Sequence, residues 1–191
     1  MGAIYRFDLD LIKQKFNIEN YVETGTGEGM CLKHAMQTPF KRYISCEIYP
    51  QVFEKVKDKF PGAELIQDSS KHMLEDILPT LTGNTIFFLD AHFPGADFHF
   101  ESYHNNPRSD ESLPLEIELN LIKQYRTGFN DVIIIDDLRI YKDGPYEGGN
   151  WEYRRDVGRD DDAFIHSILK DMNKEIYVDY RDQGYVIGLP K

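Results

Sequence analysis

The stretch that most restricts the fold is Tyr21-Val22-Glu23-Thr24-Gly25-Thr26-Gly27-Glu28-Gly29. An apolar approach through Ile18, Tyr21 and Val22 reads as a short buried strand, and Met30 to Met36 reads as a helix. The three glycines between them, at alternate positions, form a tight turn whose backbone a ligand can approach closely. The spacing is G-x-G-x-G. In a dinucleotide-binding turn, G-x-G-x-x-G, the third glycine would fall at Met30.

Glu23 sharpens the choice of ligand. A carboxylate two residues before the first glycine would repel a pyrophosphate, and it suits a cation such as the α-ammonium of S-adenosylmethionine. Glycine-rich turns also serve as plain structural turns. Glu23-x-Gly25-x-Gly27-x-Gly29 resembles the first motif of the class I S-adenosylmethionine-dependent methyltransferases. The resemblance implies that Glu23, Thr24, Gly25, Gly27 and Gly29 hold the cofactor.

The rest of the chain alternates strand and helix. Asp8 can cap a helix with Leu9, Ile12 and Phe16 on one face. Arg42–Ile48 reads as the second strand, Pro50 opens a helix running to Phe60, and Ala63–Gln67 reads as the third strand. Asp68-Ser69-Ser70 can cap a helix bearing Met73, Leu74, Ile77 and Leu78. Thr85–Leu89 and Val132–Ile135 are continuous apolar runs, the mark of strands buried on both faces. Leu115–Leu121 alternates like a strand, but a parallel sheet needs a crossover there, so it reads as a helix after Pro114. Asp160 or Asp161 caps a last helix, and Glu175–Tyr180 with Tyr185–Leu189 reads as a hairpin. By the resemblance this is an α/β, Rossmann-like fold: one domain over residues 1–191, with helices on both faces of a seven-stranded, mostly parallel sheet. The implied strand order is 3-2-1-4-5-7-6.

Composition excludes several roles. A net charge of −11 argues against a nucleic-acid surface and against anionic membranes. The start, Met1-Gly2-Ala3-Ile4-Tyr5-Arg6, lacks an apolar signal core, and no apolar run is long enough to span a bilayer. Two cysteines, Cys31 and Cys46, do not make a disulfide framework, so a cytoplasmic setting is expected. Nothing in the sequence opposes a homo-oligomer.

Ligands of open parallel sheets bind beyond the carboxyl ends of the strands. Glu23, Glu47, Asp68, Asp90, Asp136 and Asp137 all fall at such ends. Glu47, about twenty residues past the glycines, can accept both ribose hydroxyls, a feature shared with dinucleotide enzymes. By the resemblance Asp68 and Ser69 border the adenine; both also suit helix capping. Asp90, counted with the cofactor set, could meet Asp136 and Asp137, because strands four and five are neighbours. Two such charges at ~4 Å repel by roughly 4 kcal/mol at an effective dielectric of 20. The cluster therefore calls for protons, a partner such as Arg139, or a hard cation such as Mg²⁺.

This constellation resembles the metal-dependent sugar O-methyltransferases of the macrocin and mycinamicin type, where an Asp after strand four and an acidic pair after strand five hold magnesium. It departs from them at His92, where an aspartate base often stands, and at Leu138-Arg139, where Tyr-Gly is usual. His92, two residues past Asp90, reads either as a loop histidine or as a general base. His99 and His104 lack a zinc pattern. Residues 93–113, with Phe93, Phe98, Phe100 and Tyr103, and residues 141–158, with Tyr146 and Trp151, form either an aromatic lid or anchored surface loops. The expected function is Mg²⁺-dependent O-methylation of a small hydroxylated acceptor, with Asp90 and His92 catalytic. The alternatives are a cofactor-binding protein without transfer, a metal-independent N-methyltransferase, a partner-binding scaffold and, opposed by Glu23 and Met30, an NAD-dependent oxidoreductase.

Overall fold

A computed structural model describes residues 3–105, 109–156 and 158–191. Met1 and Gly2 of the expected N-terminal reading, and positions 106–108 and 157 of the two long loops, lie outside the described residues. The strands are β1 (Ile18–Thr24), β2 (Arg42–Cys46), β3 (Glu64–Ile66), β4 (Asn84–Leu89), β5 (Val132–Ile135), β6 (Lys174–Asp179) and β7 (Tyr185–Pro190). They form one sheet in the order β3-β2-β1-β4-β5-β7-β6. Every pair from β3 to β5 is parallel; β7 runs antiparallel to both β5 and β6. Both the order and the reversed strand are as the sequence implies.

The helices are α1 (Leu9–Phe16), α2 (Met30–Ala35), α3 (Pro50–Val56), α4 (Ser70–Ile77), α5 (Leu115–Arg126) and α6 (Ala163–Asp171). Successive residues of a strand point to opposite faces, so the apolar runs feed two cores at once. Val22, Phe87, Leu89, Ile133 and Ile135 pack with α4, α5 and α6. Tyr21, Ile86, Phe88, Val132 and Ile134 pack with α1 and α2. Asp8 caps α1 by accepting the Leu11 N–H at 2.9 Å. Asp161 accepts the Ala163 N–H at 2.8 Å at the start of α6. The alternating stretch after Pro114 is helical, with Leu115, Leu119 and Ile122 buried together.

One boundary differs from the apolar pattern. The α3 stripe extends in sequence to Phe60, yet the helix ends at Val56. Pro61 disfavours a helical conformation at Phe60. Its ring instead covers Gly29, where an added Cβ would lie 2.3 Å from Phe60 Cε2. Gly29 also has φ +78°, so a side chain here would be strained and would have to displace the ring.

The amino ends of the central strands are tied by a buried ion pair. Arg126 donates from Nε to Asp131 Oδ2 at 2.9 Å and from Nη2 to Oδ1 at 2.8 Å, while Nη1 and Nη2 reach the carbonyls of Leu81 and Gly83 at 2.5 Å. Asp131 Oδ1 also accepts the Thr85 N–H at 2.7 Å. Lys174 donates to the Asp131 carbonyl at 2.6 Å, joining β6 to the same knot. The opposite, carboxyl edge of the sheet is thereby left to carry the chemistry.

Candidate active site

A cavity of about 410 Å³ opens at the carboxyl ends of β1, β2, β4 and β5. Strand order explains its position. The chain leaves β1 toward β2 on one side and β4 lies on the other, so no crossover covers this edge. Glu23, Gly25, Gly27, Glu47, Asp68, Ser69, Asp90, His92 and Asp137 all line it. Thr24, Gly29 and Asp136 do not; they shape its walls. The Asp90 N–H bonds to the Thr24 carbonyl and hydroxyl, each at 3.2 Å.

The glycine turn is pressed against β4. Gly25 has φ +81°, and a Cβ there would meet the Asp90 carbonyl oxygen at 3.0 Å. The N–H groups of Gly25 and Thr26 both bond to the Cys46 carbonyl, at 3.1 and 2.8 Å, which ends β2 and turns Glu47 toward the cavity. Glu47 Oε2 accepts the Gly27 N–H at 3.0 Å and Oε1 the Tyr49 N–H at 2.8 Å. Each oxygen keeps a lone pair, enough for two hydroxyl groups of a ligand. Burial raises the Glu47 pKa, and those backbone bonds oppose the rise.

Glu23 is buried, and burial pushes its pKa up to about 8 against the pull of Ser45, whose hydroxyl donates to Oε2 at 3.3 Å. Thr26 holds Ser45 in turn, at 2.6 Å between hydroxyls. A cationic ligand group would ionise Glu23 and supply its missing partner. Asp68 stands half in solvent. It opposes the desolvation of its own carboxylate with bonds from the Ser69 N–H at 2.7 Å and His72 Nδ1 at 3.0 Å, and its pKa is lowered. Ser69 caps α4 by accepting the His72 N–H at 3.2 Å, so its capping role and a place on the cavity wall coexist.

The acidic cluster differs from the expected set of three aspartates in one member. Asp90, His92 and Asp137 offer ligand atoms within 4.8 Å of one another; Asp136 is outside that group. Its Oδ1 accepts the Asp137 N–H at 2.7 Å, and its Oδ2 is buried without a hydrogen bond among the described residues. Burial, reinforced by Asp137, lifts the Asp136 pKa to about 8. The bond between neighbours fits the left-handed backbone of Asp137, φ 53° and ψ 44°, a strained geometry for a non-glycine residue.

Asp137 carries the ionised carboxylate of the cluster. Although it is buried, His92 and Arg139 hold its pKa below the ordinary value. His92 Nε2 lies 2.5 Å from Oδ2, and Arg139 Nε lies 3.3 Å from Oδ1 without hydrogen-bond alignment. Burial lowers the His92 pKa, but Asp137 overcomes this and carries it to about 10. His92 therefore holds its proton at neutral pH. Asp90 goes the other way, its pKa raised well above normal by burial and by Asp136.

The aromatic residues of the two long loops pair in ways that the sequence does not give. Phe98 lies over Gly27, 3.5 Å from where a Cβ would stand, and Phe100 stacks on Tyr49 at 5.1 Å between centroids. The loop after β4 thus rests on the glycine-turn side of the cavity. Phe93, Tyr103 and Trp151 contact one another at 5.2–5.6 Å and bind that loop to the one after β5. Glu118, one helical turn past Pro114, is buried with neither carboxylate oxygen well aligned to a donor; burial raises its pKa to about 7, while Ser70 and Thr24 hold it down. Cys31 and Cys46 are both buried and form no disulfide among the described residues. His99 and His104 stay outside the cavity. No helix among the described residues is long and apolar enough to cross a membrane.

No protein-family model and no curated protein matches the sequence. Solved structures do. A candidate caffeoyl-CoA O-methyltransferase from Staphylococcus aureus aligns over 100% of this chain and 85% of its own, with a TM-score of 0.60 at 11% identity. The S-adenosylhomocysteine-bound methyltransferase PaMTH1 of Podospora anserina aligns over 96% and 76%, with a TM-score of 0.58 at 15% identity. A candidate O-methyltransferase from Klebsiella pneumoniae aligns over 100% and 81%, with a TM-score of 0.57 at 13% identity. Together with the strand order, these likenesses establish that the chain has the fold of the class I S-adenosylmethionine-dependent methyltransferases.

Proposed function

We propose that the protein is an S-adenosylmethionine-dependent methyltransferase that methylates oxygen on a small hydroxylated acceptor. One observation carries this reading: a single cavity joins a cofactor cradle to a proton acceptor. Glu23, the glycine turn and Glu47 stand on one side, and the His92–Asp137 pair on the other. Glu23 would take the α-ammonium, Glu47 the ribose hydroxyls, and Asp68 and Ser69 the adenine end. The acceptor oxygen forms a bond to the methyl carbon as the carbon–sulfur bond breaks. The electron pair would go to sulfur, leaving S-adenosylhomocysteine, and the hydroxyl proton would go to His92 in its neutral form, which the positive sulfonium beside it favours. Alignment of oxygen, carbon and sulfur is the main task left to the protein, since the sulfonium is already activated. The net charge of −11 favours a small molecule over a nucleic acid as partner.

S-adenosylhomocysteine should raise the melting temperature by binding the folded state, whereas NADH should not. Glu47→Ala should weaken S-adenosylhomocysteine by about 1.5–3 kcal/mol, the range for hydrogen bonds to a charged group. Calorimetry reads both. An unchanged affinity would remove Glu47 from the ribose, and a response to NADH alone would replace the methyltransferase reading.

A second reading adds a divalent ion such as Mg²⁺. The close approach of Asp90, His92 and Asp137 favours it, as does the buried Asp137 Oδ1 that lacks a hydrogen bond. Asp90 and Asp137 would supply the hard oxygen ligands, and Asp136 would hold Asp137 in place. Such an ion, when bound, lowers the pKa of an acceptor hydroxyl. Arg139 and His92 already balance the Asp137 charge, so an ion must compete with them. With S-adenosylhomocysteine saturating, Mg²⁺ should further stabilise the wild type and leave Asp137→Asn unmoved. Equal turnover in excess EDTA would reject the ion.

A further inference from the structure

A second, smaller chamber adjoins the cavity on the far side of the His92–Asp137 pair. It encloses about 30 Å³ and shares His92, Phe93, Asp97 and Asp137 with the larger one. Its other walls include Tyr103, Trp151 and Arg139. A space of this size holds one or two waters, or one small planar group. Phe93, Tyr103 and Trp151 line this slot with their rings tilted or edge-on to one another.

Arg139 is the only arginine or lysine among the residues lining it. The backbone fixes its place: Leu138 N–H bonds to the Gly184 carbonyl at 3.0 Å and Arg139 N–H to the Gln183 carbonyl at 3.1 Å. Its Nε lies 3.3 Å from Asp137 Oδ1, and its side chain is 20% exposed. The two Nη groups donate no hydrogen bond to any described residue. The acid across the slot is already engaged, since Asp97 Oδ1 accepts the Tyr103 hydroxyl. Nη1 lies near Gly148, 3.7 Å from where a Cβ there would stand, and a guanidinium whose Nη groups donate to no described residue matches a planar group with two oxygens.

We propose that this chamber is a carboxylate subsite, and that the acceptor is a short hydroxy acid whose carboxylate Arg139 grips through its two Nη groups. The spacing between carboxylate and reacting hydroxyl follows from Asp137. One of its oxygens faces His92 and the other faces Arg139 Nε, so proton acceptor and guanidinium flank one carboxylate. That arrangement fits a hydroxyl one or two carbons from the acid group. The fate of the hydroxyl rests on the methyltransferase reading above; the anion site does not.

Trp151, the only tryptophan of the chain, lines the chamber and reports on it directly. We would follow its fluorescence while adding glycolate, glycolamide or inorganic phosphate to the wild type, Arg139→Gln and Arg139→Lys, each with and without S-adenosylhomocysteine. Glycolate should give a saturable change in the wild type, with affinity about tenfold to a hundredfold weaker in Arg139→Gln and intermediate in Arg139→Lys. Glycolamide should give none at the same concentrations. A merely structural Arg139 would alter the two probes equally, because it does not distinguish acid from amide. Equal binding of acid and amide, an unchanged glycolate affinity in Arg139→Gln, no saturable glycolate response, or a response to phosphate alone would each overturn the proposal. Failure of S-adenosylhomocysteine to bind, with the glycolate response intact, would instead strike the methyltransferase reading and leave the subsite standing.

Discussion

His92→Gln should lower the rate of methyl transfer by about 10²–10⁴-fold, the range for loss of a positioned general base. Affinity for S-adenosylhomocysteine should stay within about twofold, because no contact proposed for the cradle involves the imidazole. The pH dependence makes the assignment more exposed. A base works in its deprotonated form, and Asp137 carries the His92 pKa to about 10. Below that value the reactive fraction falls tenfold per unit of pH. The kcat/KM for cofactor, which reports on the free enzyme, should therefore climb from neutral pH toward about pH 10. The limb in kcat should lie lower, because the bound sulfonium is a cation beside the imidazole and favours its neutral form. Asp137→Asn removes the raising partner and should move both limbs down. Loss of activity in His92→Gln with a wild-type pH profile would mean that His92 shapes the site without taking the proton. A variant retaining more than about a tenth of the rate would remove it from the chemistry.

The fold was legible because its signals are local and repeated. The strand–glycine–helix turn at Tyr21–Met30, the doubly buried runs at Thr85–Leu89 and Val132–Ile135, and the terminal hairpin each point to one topology. The lining of the carboxyl edge was legible for a related reason. Residues that end strands must line the carboxyl edge, so Glu23, Glu47 and Asp90 converge whatever the loops do. The acidic pair was harder. Asp137 leaves the strand with a left-handed backbone, and Asp136 bonds its neighbour's N–H. Sequence gives no sign of which one turns. The aromatic contacts of Tyr49 with Phe100 and of Phe93 with Trp151 join segments tens of residues apart, and loops carry no periodicity that would pair them. Glu118 was hidden by its helix, where a glutamate in the first turn reads as a solvated charge favoured by the helix dipole.

The largest effect on stability should come from the end of the sheet remote from the cavity. Arg126 and Asp131 are 1% and 0% exposed, and the guanidinium lies 3.6 Å from the Phe129 ring centroid. Water cannot replace a lost partner there. Asp131→Asn keeps the shape and can still accept the Thr85 N–H, but its amide would point donors at the donors of Arg126. Breaking one side of a buried pair costs about 3–5 kcal/mol because the other charge is left uncompensated. Against a total of about 5–15 kcal/mol for a typical domain, that is a large share. Urea unfolding should show a lower midpoint with an unchanged slope. Arg126→Met strands Asp131 in the same way, though the Thr85 N–H still supports its carboxylate. The double variant should cost less than the sum of the two single changes, because each single change leaves a charge that the other would have removed. A single-variant loss below about 1 kcal/mol, or strict additivity in the double variant, would mean that the pair is solvated or replaceable and that apolar packing alone fastens β4, β5 and β6 at this end.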